Sequence, residues 1–344
     1  IQRVQRESLK SMAISARELR ALGVIGMNDR NINLIAAYNP RHLYPLVDNK
    51  LKTKLLATEK GVATPGLIGA LTTQHDVRHL ARFLADHDGF AMKPAKGSGG
   101  KGILVISARN EESFVKTNGM ELSIDDVRRH ASNILSGLFS LGGTPDVAIV
   151  EDLIRPDPVY RDLSVEGVPD IRVIVYRGFP VMAMMRLSTR ASDGKANLHQ
   201  GAVGLGLALS DGRPVNAIQF DRTVLEHPDS GADLMSIEIP GWAGLLELAA
   251  RSADATGLGF IGADIVIDRD RGPLLLELNA RPGLAIQLAN PEGRAPRIRA
   301  VDALSPKAFS EAPRQRGERA IERLGGGQRQ LNQAAGGKSP PGCP

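Results

Sequence analysis

Residues 262–279 constrain this chain more than any other stretch. Apolar runs at 262–267 and 273–279 flank the charged loop Asp268-Arg269-Asp270-Arg271-Gly272, and two such runs joined by a short loop ending in glycine form a β-hairpin. With the turn centred between Asp270 and Arg271, Asp264 falls opposite Glu277. Directly opposed residues project to one face with Cβ atoms about 5 Å apart, and Asn279, two residues on, shares that face. Two carboxylates and an amide oxygen converge there. Opposed like charges destabilise a sheet unless a cation neutralises them, and a few carboxylates with room for water and phosphate suit Mg²⁺. The same spacing also describes a solvated strand face, so the hairpin by itself leaves both readings open.

A second stretch adds weight. Residues 90–95 are predicted to form a strand carrying Lys93, and Lys96-Gly97-Ser98-Gly99-Gly100-Lys101-Gly102 leads from it into the apolar run 103–106. Glycines let backbone N–H groups approach anionic oxygens closely. No helix follows and the GxxxxGK[ST] spacing is missing, which separates this loop from a P-loop; a glycine-rich connection between strands is otherwise an ordinary hairpin loop. Lys93 bears on the choice, because a lysine among apolar residues is seldom buried without a partner. A nucleotide phosphate would be one.

The rest of the chain reads as α+β, antiparallel sheets with helices packed on one side of each. Helices are predicted at 8–22, ending at Gly23; at 50–60, with Leu51, Leu55 and Leu56 on one face; at 74–87, capped by Thr73, with Val77, Leu80, Ala81 and Leu84 as its stripe; and at 241–256, stopped by Gly257. Short strands are predicted at 102–107, 147–150, 171–176 and 181–186. From 305 onward the chain turns rich in Gly, Gln, Pro and Arg, and a disordered, basic tail is expected at 305–344. The net charge of +5 sits at the ends: residues 1–22 and 310–344 carry +3 each, the middle −1. With aromatics at 4%, neither a basic face nor base-stacking platforms mark a nucleic-acid partner. No apolar run reaches the ~18–20 residues of a transmembrane helix. The start lacks both Met and a secretory signal, and the lone Cys343 fits a cytoplasmic setting.

Taken in order, Lys50 in Asp48-Asn49-Lys50-Leu51-Lys52-Thr53-Lys54, the Lys93 strand with its glycine loop, Val150-Glu151-Asp152-Leu153-Ile154, Asp170-Ile171-Arg172, Asn197-Leu198-His199 and the Asp264…Glu277-Leu278-Asn279-Ala280-Arg281-Pro282-Gly283 run resemble the ATP-grasp superfamily. The likeness is to its RimK branch, the alpha-L-glutamate ligase-like proteins, over residues 23–290. The resemblance implies two α+β lobes holding ATP between antiparallel sheets: a reduced N-terminal segment at 1–49, a small lobe at 50–150 and a large lobe at 151–304.

It also implies roles. Lys50 and Lys93 would hold the nucleotide phosphates, with Gly97, Ser98, Gly99 and Gly100 closing over them. Glu151, Asp152 and Leu153 would meet adenine, largely through backbone groups, and Asp170 would lie by the ribose. Asp264, Glu277 and Asn279 would bind Mg²⁺, or Mn²⁺ in its place; Arg186 or Arg190, and Asn197, would contact the transferring phosphate. Each has a plainer reading: Lys50 as an exposed helix lysine beside Lys52 and Lys54, Arg186 and Arg190 as surface cations, His199 as a packed or solvent-facing histidine. The implied activity is ATP-dependent ligation of an amino acid, glutamate or another, to a carboxylate on a small molecule, peptide or protein. The alternatives are a sugar-linked or cell-surface acceptor, or a nucleotide-binding scaffold without turnover. Two departures stand out. The N-terminal segment is short, which leaves room for a homo-oligomer or a partner chain to supply another wall of the cleft. An insertion with Pro156, Pro158 and Pro169 separates Glu151 from Asp170.

Overall fold

The computed structural model describes residues 15–325 except Ser98, Glu111, Glu112, Arg161, Asp162 and Glu166. Ser98 of the glycine loop, the first half of the helix expected at 8–22 and the chain beyond Gly325 therefore lie outside the described residues.

Two antiparallel sheets organise the rest, as expected of an α+β chain. Strands β1 (Leu67–Leu71), β2 (Phe90–Pro94), β3 (Leu104–Arg109), β4 (Phe114–Lys116), β5 (Glu121–Leu122) and β6 (Ala148–Asp152) form a six-stranded sheet in the order β1-β6-β2-β3-β4-β5. Strands β7 (Asp170–Tyr176), β8 (Phe179–Leu187), β9 (Val203–Leu207), β10 (Pro214–Gln219), β11 (Arg222–Thr223), β12 (Phe260–Asp268) and β13 (Gly272–Asn279) form a seven-stranded sheet in the order β11-β10-β9-β8-β7-β12-β13.

Strand alternation sorts the six-stranded sheet into two faces. Phe90, Met92, Ala148 and Val150 pack with Val127, Ala131 and Ile134 of the helix Ile124–Leu135 in one apolar cluster. Ala91, Lys93, Ile149 and Glu151 point the other way, with Lys93 opposite Ile149 and Ala91 opposite Glu151. The long helix Trp242–Thr256 packs into the larger cluster through residues such as Leu245, Leu246 and Ala249, together with Phe260, Ile261 and Ala263 of β12. Its C-terminus is closed by Gly257 at φ +70, a left-handed position that suits glycine.

Several expectations need correction. The helix predicted at 50–60 forms as Lys50–Glu59 with Asn49 as N-cap, but it buries Thr53, Lys54 and Ala57 and leaves Leu55 exposed. Its inner face is set by a salt bridge, described below, and not by the leucine stripe. The helix expected at 74–87 breaks into Gln74–Arg78 and Leu80–Phe83. Pro306–Ser310 and 313–324 are helical instead of irregular: Arg316 is buried against Asp254 of the long helix, and Gly317 packs on the backbone of Glu247.

Candidate active site

The β12–β13 hairpin has the expected pairing for an unexpected reason. Asp264 does face Glu277. The turn, however, is centred on Asp270: Asp268 pairs with Gly272, which closes the loop at φ +73. Asp268 organises it by accepting from the N–H groups of Asp270 and Arg271 at 3.0 Å each and of Arg155 at 2.9 Å. In that register Asp264 would face Leu276. A register shift between Asp264 and Ile265 leaves Leu276 unpaired, a β-bulge, and so brings Glu277 opposite Asp264.

Directly opposed residues share a face, so the ladder pairings trace a row across the seven-stranded sheet. Glu277 lies opposite Asp264, Asp264 opposite Arg172, and Asp170, two residues before Arg172, opposite Arg186. Arg172 grips Asp264 with two bonds of 2.7 and 2.6 Å, and Arg186 adds a third at 2.7 Å. Arg186 also holds both oxygens of Asp170, Nε to Oδ1 at 2.6 Å. Burial opposes charge on Asp264, yet Arg172 and Arg186 outweigh it and keep its carboxyl well below the usual carboxylate range. Burial pushes Asp170 up to about 6 against the pull of Arg186, and the charge on Asp264 adds to that push.

Across the cleft, Lys93 Nζ lies 2.7 Å from Glu151 Oε2 and Lys54 Nζ 3.1 Å from Glu151 Oε1, with all three side chains less than a tenth exposed. Lys54 also donates to the Pro65 carbonyl. Burial lowers the Lys54 ammonium and Glu151 works against that shift. The partner of Lys93 in this structure is thus Glu151, and Lys54 is a buried member of the site, contrary to its expected exposure. Two cations sharing one anion leave a surplus positive charge facing the cleft.

Lys50 bridges the two halves. Its Nζ donates to the Gly97 carbonyl at 2.7 Å and lies 3.3 Å from Glu277 Oε2. The glycine loop is open at its tip: a Cβ on Gly99 (φ +63) would meet nothing, and one on Gly100 (φ +74) would stand 3.9 Å from Lys195 Cγ of the opposite half. Asp152 and Leu153 are tied to the hairpin turn by Arg271, which lies 3.5 Å from Asp152 Oδ2 and donates to the Leu153 carbonyl at 3.2 Å.

Two expected residues stand apart from the row. Arg190 is exposed, with its backbone N–H held by Asp229. Asn197 uses its side-chain oxygen to cap the turn Leu198–Gln200. Asp170 lies in the row, buried and with both oxygens bonded to Arg186. The residues missed from sequence are Lys54, Arg172, Lys195 and Asp268. Of these, Arg172 carried a signal, since it alternates with Asp170 on a strand next to the hairpin.

The cation site can be tested against its donors. Among the described residues no three His, Cys, Asp or Glu side chains are grouped to hold a metal ion. The hairpin offers a different set: among the described residues Glu277, about a third exposed, has no bonded partner at Oε1, and Asn279 makes no side-chain hydrogen bond. These hard oxygens fit Mg²⁺. Asp264, the third expected oxygen donor, is held by Arg172 and Arg186.

A family model described as sugar-transfer associated ATP-grasp matches residues 29–303. The chain belongs to that family. This ATP-grasp chain is also similar to a protein of Maridesulfovibrio salexigens named "Probable alpha-L-glutamate ligase", 26% identical over 239 residues, 69% of this chain and 56% of the relative. A protein of the same name from Xanthomonas oryzae pv. oryzae is 33% identical over 115 residues, 33% of this chain and 28% of the relative. The chain thus spans about half, or less, of the curated relatives it matches. Among solved structures, the ATP-grasp ligase PsnB complexed with minimal precursor aligns at TM-score 0.40 and 18% identity, covering 77% of this chain and 62% of that one. The D-cycloserine synthetase DcsG aligns at 0.42 and 15%, covering 81% and 73%. No helix among the described residues is long and apolar enough to cross a membrane.

Proposed function

We propose that this ATP-grasp chain is an ATP-dependent carboxylate–amine ligase that works through an acyl phosphate. The observation that carries the reading is the row of Glu277, Asp264, Arg172, Asp170 and Arg186 on one sheet face, opposed across the cleft by Lys93 and closed by Lys50. A carboxylate oxygen attacks the γ-phosphorus of ATP and ADP leaves; a neutral amine then attacks the acyl carbon, phosphate departs and the nitrogen sheds a proton. Two anions must meet, so cations have to stand between them. Lys50, Lys93 and the backbone of Gly97, Gly99 and Gly100 bind the nucleotide phosphates. Arg172 and Arg186 face the transferring group. Asp170 holds Arg186 in place, a different role from a ribose contact. The backbone of Glu151, Asp152 and Leu153 receives adenine. Mg²⁺, held by Glu277 and Asn279, would supply charge neutralisation on the phosphates. Holding the reactants in line supplies much of the remaining acceleration.

ATP and Mg²⁺ are the proposed ligands, with Mn²⁺ as a replacement; the substrates are an amino acid and a carboxylate-bearing partner. The family description favours a sugar-linked acceptor as the second reading. The test is ADP release from Mg²⁺-ATP across a panel of amines and acids, comparing the native chain with Glu277→Ala. Substrate-dependent ADP that falls at least a hundredfold in the variant supports the ligase. A variant as active as the native chain removes Glu277 from the metal site, and ATP binding without turnover in every mixture favours a scaffold.

A further inference from the structure

The glycine loop is pinned at both ends while Gly99, at its tip, faces open space. At its far end the Gly102 carbonyl lies 3.0 Å from His130 Nε2, and a Cβ on Gly102 would stand 2.5 Å from the Phe139 ring. At the near end stands Asp146. Its carboxylate is buried and pairs with no lysine, arginine or histidine among the described residues. Instead it accepts from the Lys96 N–H at 2.9 Å, the Val147 N–H at 2.8 Å and the Ser140 hydroxyl at 2.9 Å. Gly97 is bridged to the same Ser140.

A carboxylate at the base of a loop that receives phosphates adds repulsion, so its presence there calls for a geometric purpose. A peptide unit is planar, and fixing its N–H fixes its carbonyl. The unit joining Ala95 to Lys96 gives its N–H to Asp146, and its carbonyl accepts the backbone N–H of Lys50 at 2.8 Å. Lys50 is thereby held at both ends, its backbone by Ala95 and its ammonium by the Gly97 carbonyl at 2.7 Å. A charged acceptor on one side of a peptide also strengthens the bond on the other.

We infer that Asp146, aided by Ser140, is a positioning residue for nucleotide binding: it clamps the Ala95–Lys96 peptide and so aligns the glycine loop with the Lys50 ammonium. The inference rests on the reading of Lys50 and the loop as phosphate ligands. Asp146 acts through Lys50 and touches no phosphate itself. The role needs its acceptor oxygens and not its charge. Asparagine meets the same donors, with Oδ1 accepting from Lys96 and Val147 and Nδ2 donating to the Ser140 oxygen. Alanine leaves the clamped peptide unheld.

Titration calorimetry of the full chain with Mg²⁺ and a non-hydrolysable ATP analogue tests this. Asp146→Ala is expected to weaken binding about tenfold, and Asp146→Asn to stay within about threefold of the native chain. In a Lys50→Met background, Asp146→Ala should cost less than about threefold more, because the group through which it acts is gone. Ile134→Val, in the apolar cluster on the other face of the same sheet, lowers stability and should leave the affinity unchanged. Should Asp146→Ala fail to fold, Ser140→Ala carries the comparison, with an expected loss of about threefold. Unchanged affinity in the anchor variants, an equal loss in Ile134→Val, Asp146→Asn as weak as Asp146→Ala, or the full loss persisting without Lys50 would overturn the assignment. A native chain that binds no analogue ends the nucleotide reading itself, whereas native binding with indifferent variants ends this inference alone.

Discussion

At the scale of the residue, Glu151 holds more of the site together than its place in the sequence suggests. Its two oxygens each meet a lysine, Lys93 and Lys54, in a setting almost without solvent. Removing one member of a buried ion pair strands the other charge, typically at about 3–5 kcal/mol. Glu151→Gln is therefore expected to lower unfolding free energy by about 3–5 kcal/mol, as followed by urea denaturation. Adding Lys54→Met should recover part of the loss, because one stranded cation is gone. A change below about 1 kcal/mol would mean that water already screens the cluster. By contrast, the pairing of Lys50 with Glu277 is partly exposed, which suits groups that must exchange partners when ligands arrive.

At the scale of the element, the β12–β13 hairpin decides which side chains the cleft receives. Strand side chains alternate, so a slip of one residue would send Glu277 and Asn279 through the sheet. The bulge at Leu276 absorbs the mismatch between the turn and the functional register. The turn relies on Gly272, whose φ of +73 is left-handed and whose surroundings are open to an added Cβ. Gly272→Ala should thus cost about 1–2 kcal/mol through the backbone alone. Gly272→Asn should cost less, since asparagine tolerates that region. Thermal unfolding of the two variants compares them; equal losses would show that the turn relaxes out of the left-handed region. The helix Lys50–Glu59 shows how a charge can set a helix face: Lys54 turns inward to reach Glu151, and Leu55 is left in solvent.

At the scale of the whole molecule, the C-terminal helices complete the larger body although the family match ends at 303. Arg316 is buried against the long helix and Leu324 joins its apolar cluster. A chain ending at Ala303 should unfold several degrees lower than one ending at Gly325, measured by differential scanning fluorimetry. Equal midpoints would mean that these helices only decorate the surface. Their folding was hard to read because eight of the nineteen residues 306–324 are charged, and burial there comes from docking on another helix instead of from a strong apolar stripe of their own. The strands β9 and β10 were also unread: β9 runs Val-Gly-Leu-Gly-Leu and β10 opens with proline, patterns that weaken a strand signal.

Local order alone determined that residues 262–279 would fold back as a hairpin, that a lysine stood mid-strand before a glycine loop, and that the chain was α+β; the bulge at Leu276 then decided that Glu277 faces Asp264. Alternation and turn chemistry act between near neighbours, so they are written in the sequence itself. Only the tertiary structure decided which charge each carboxylate meets. Arg172 and Asp264 are 92 residues apart and Arg186 and Asp264 are 78 apart, and electrostatic attraction depends on distance in space, which sequence separation does not carry.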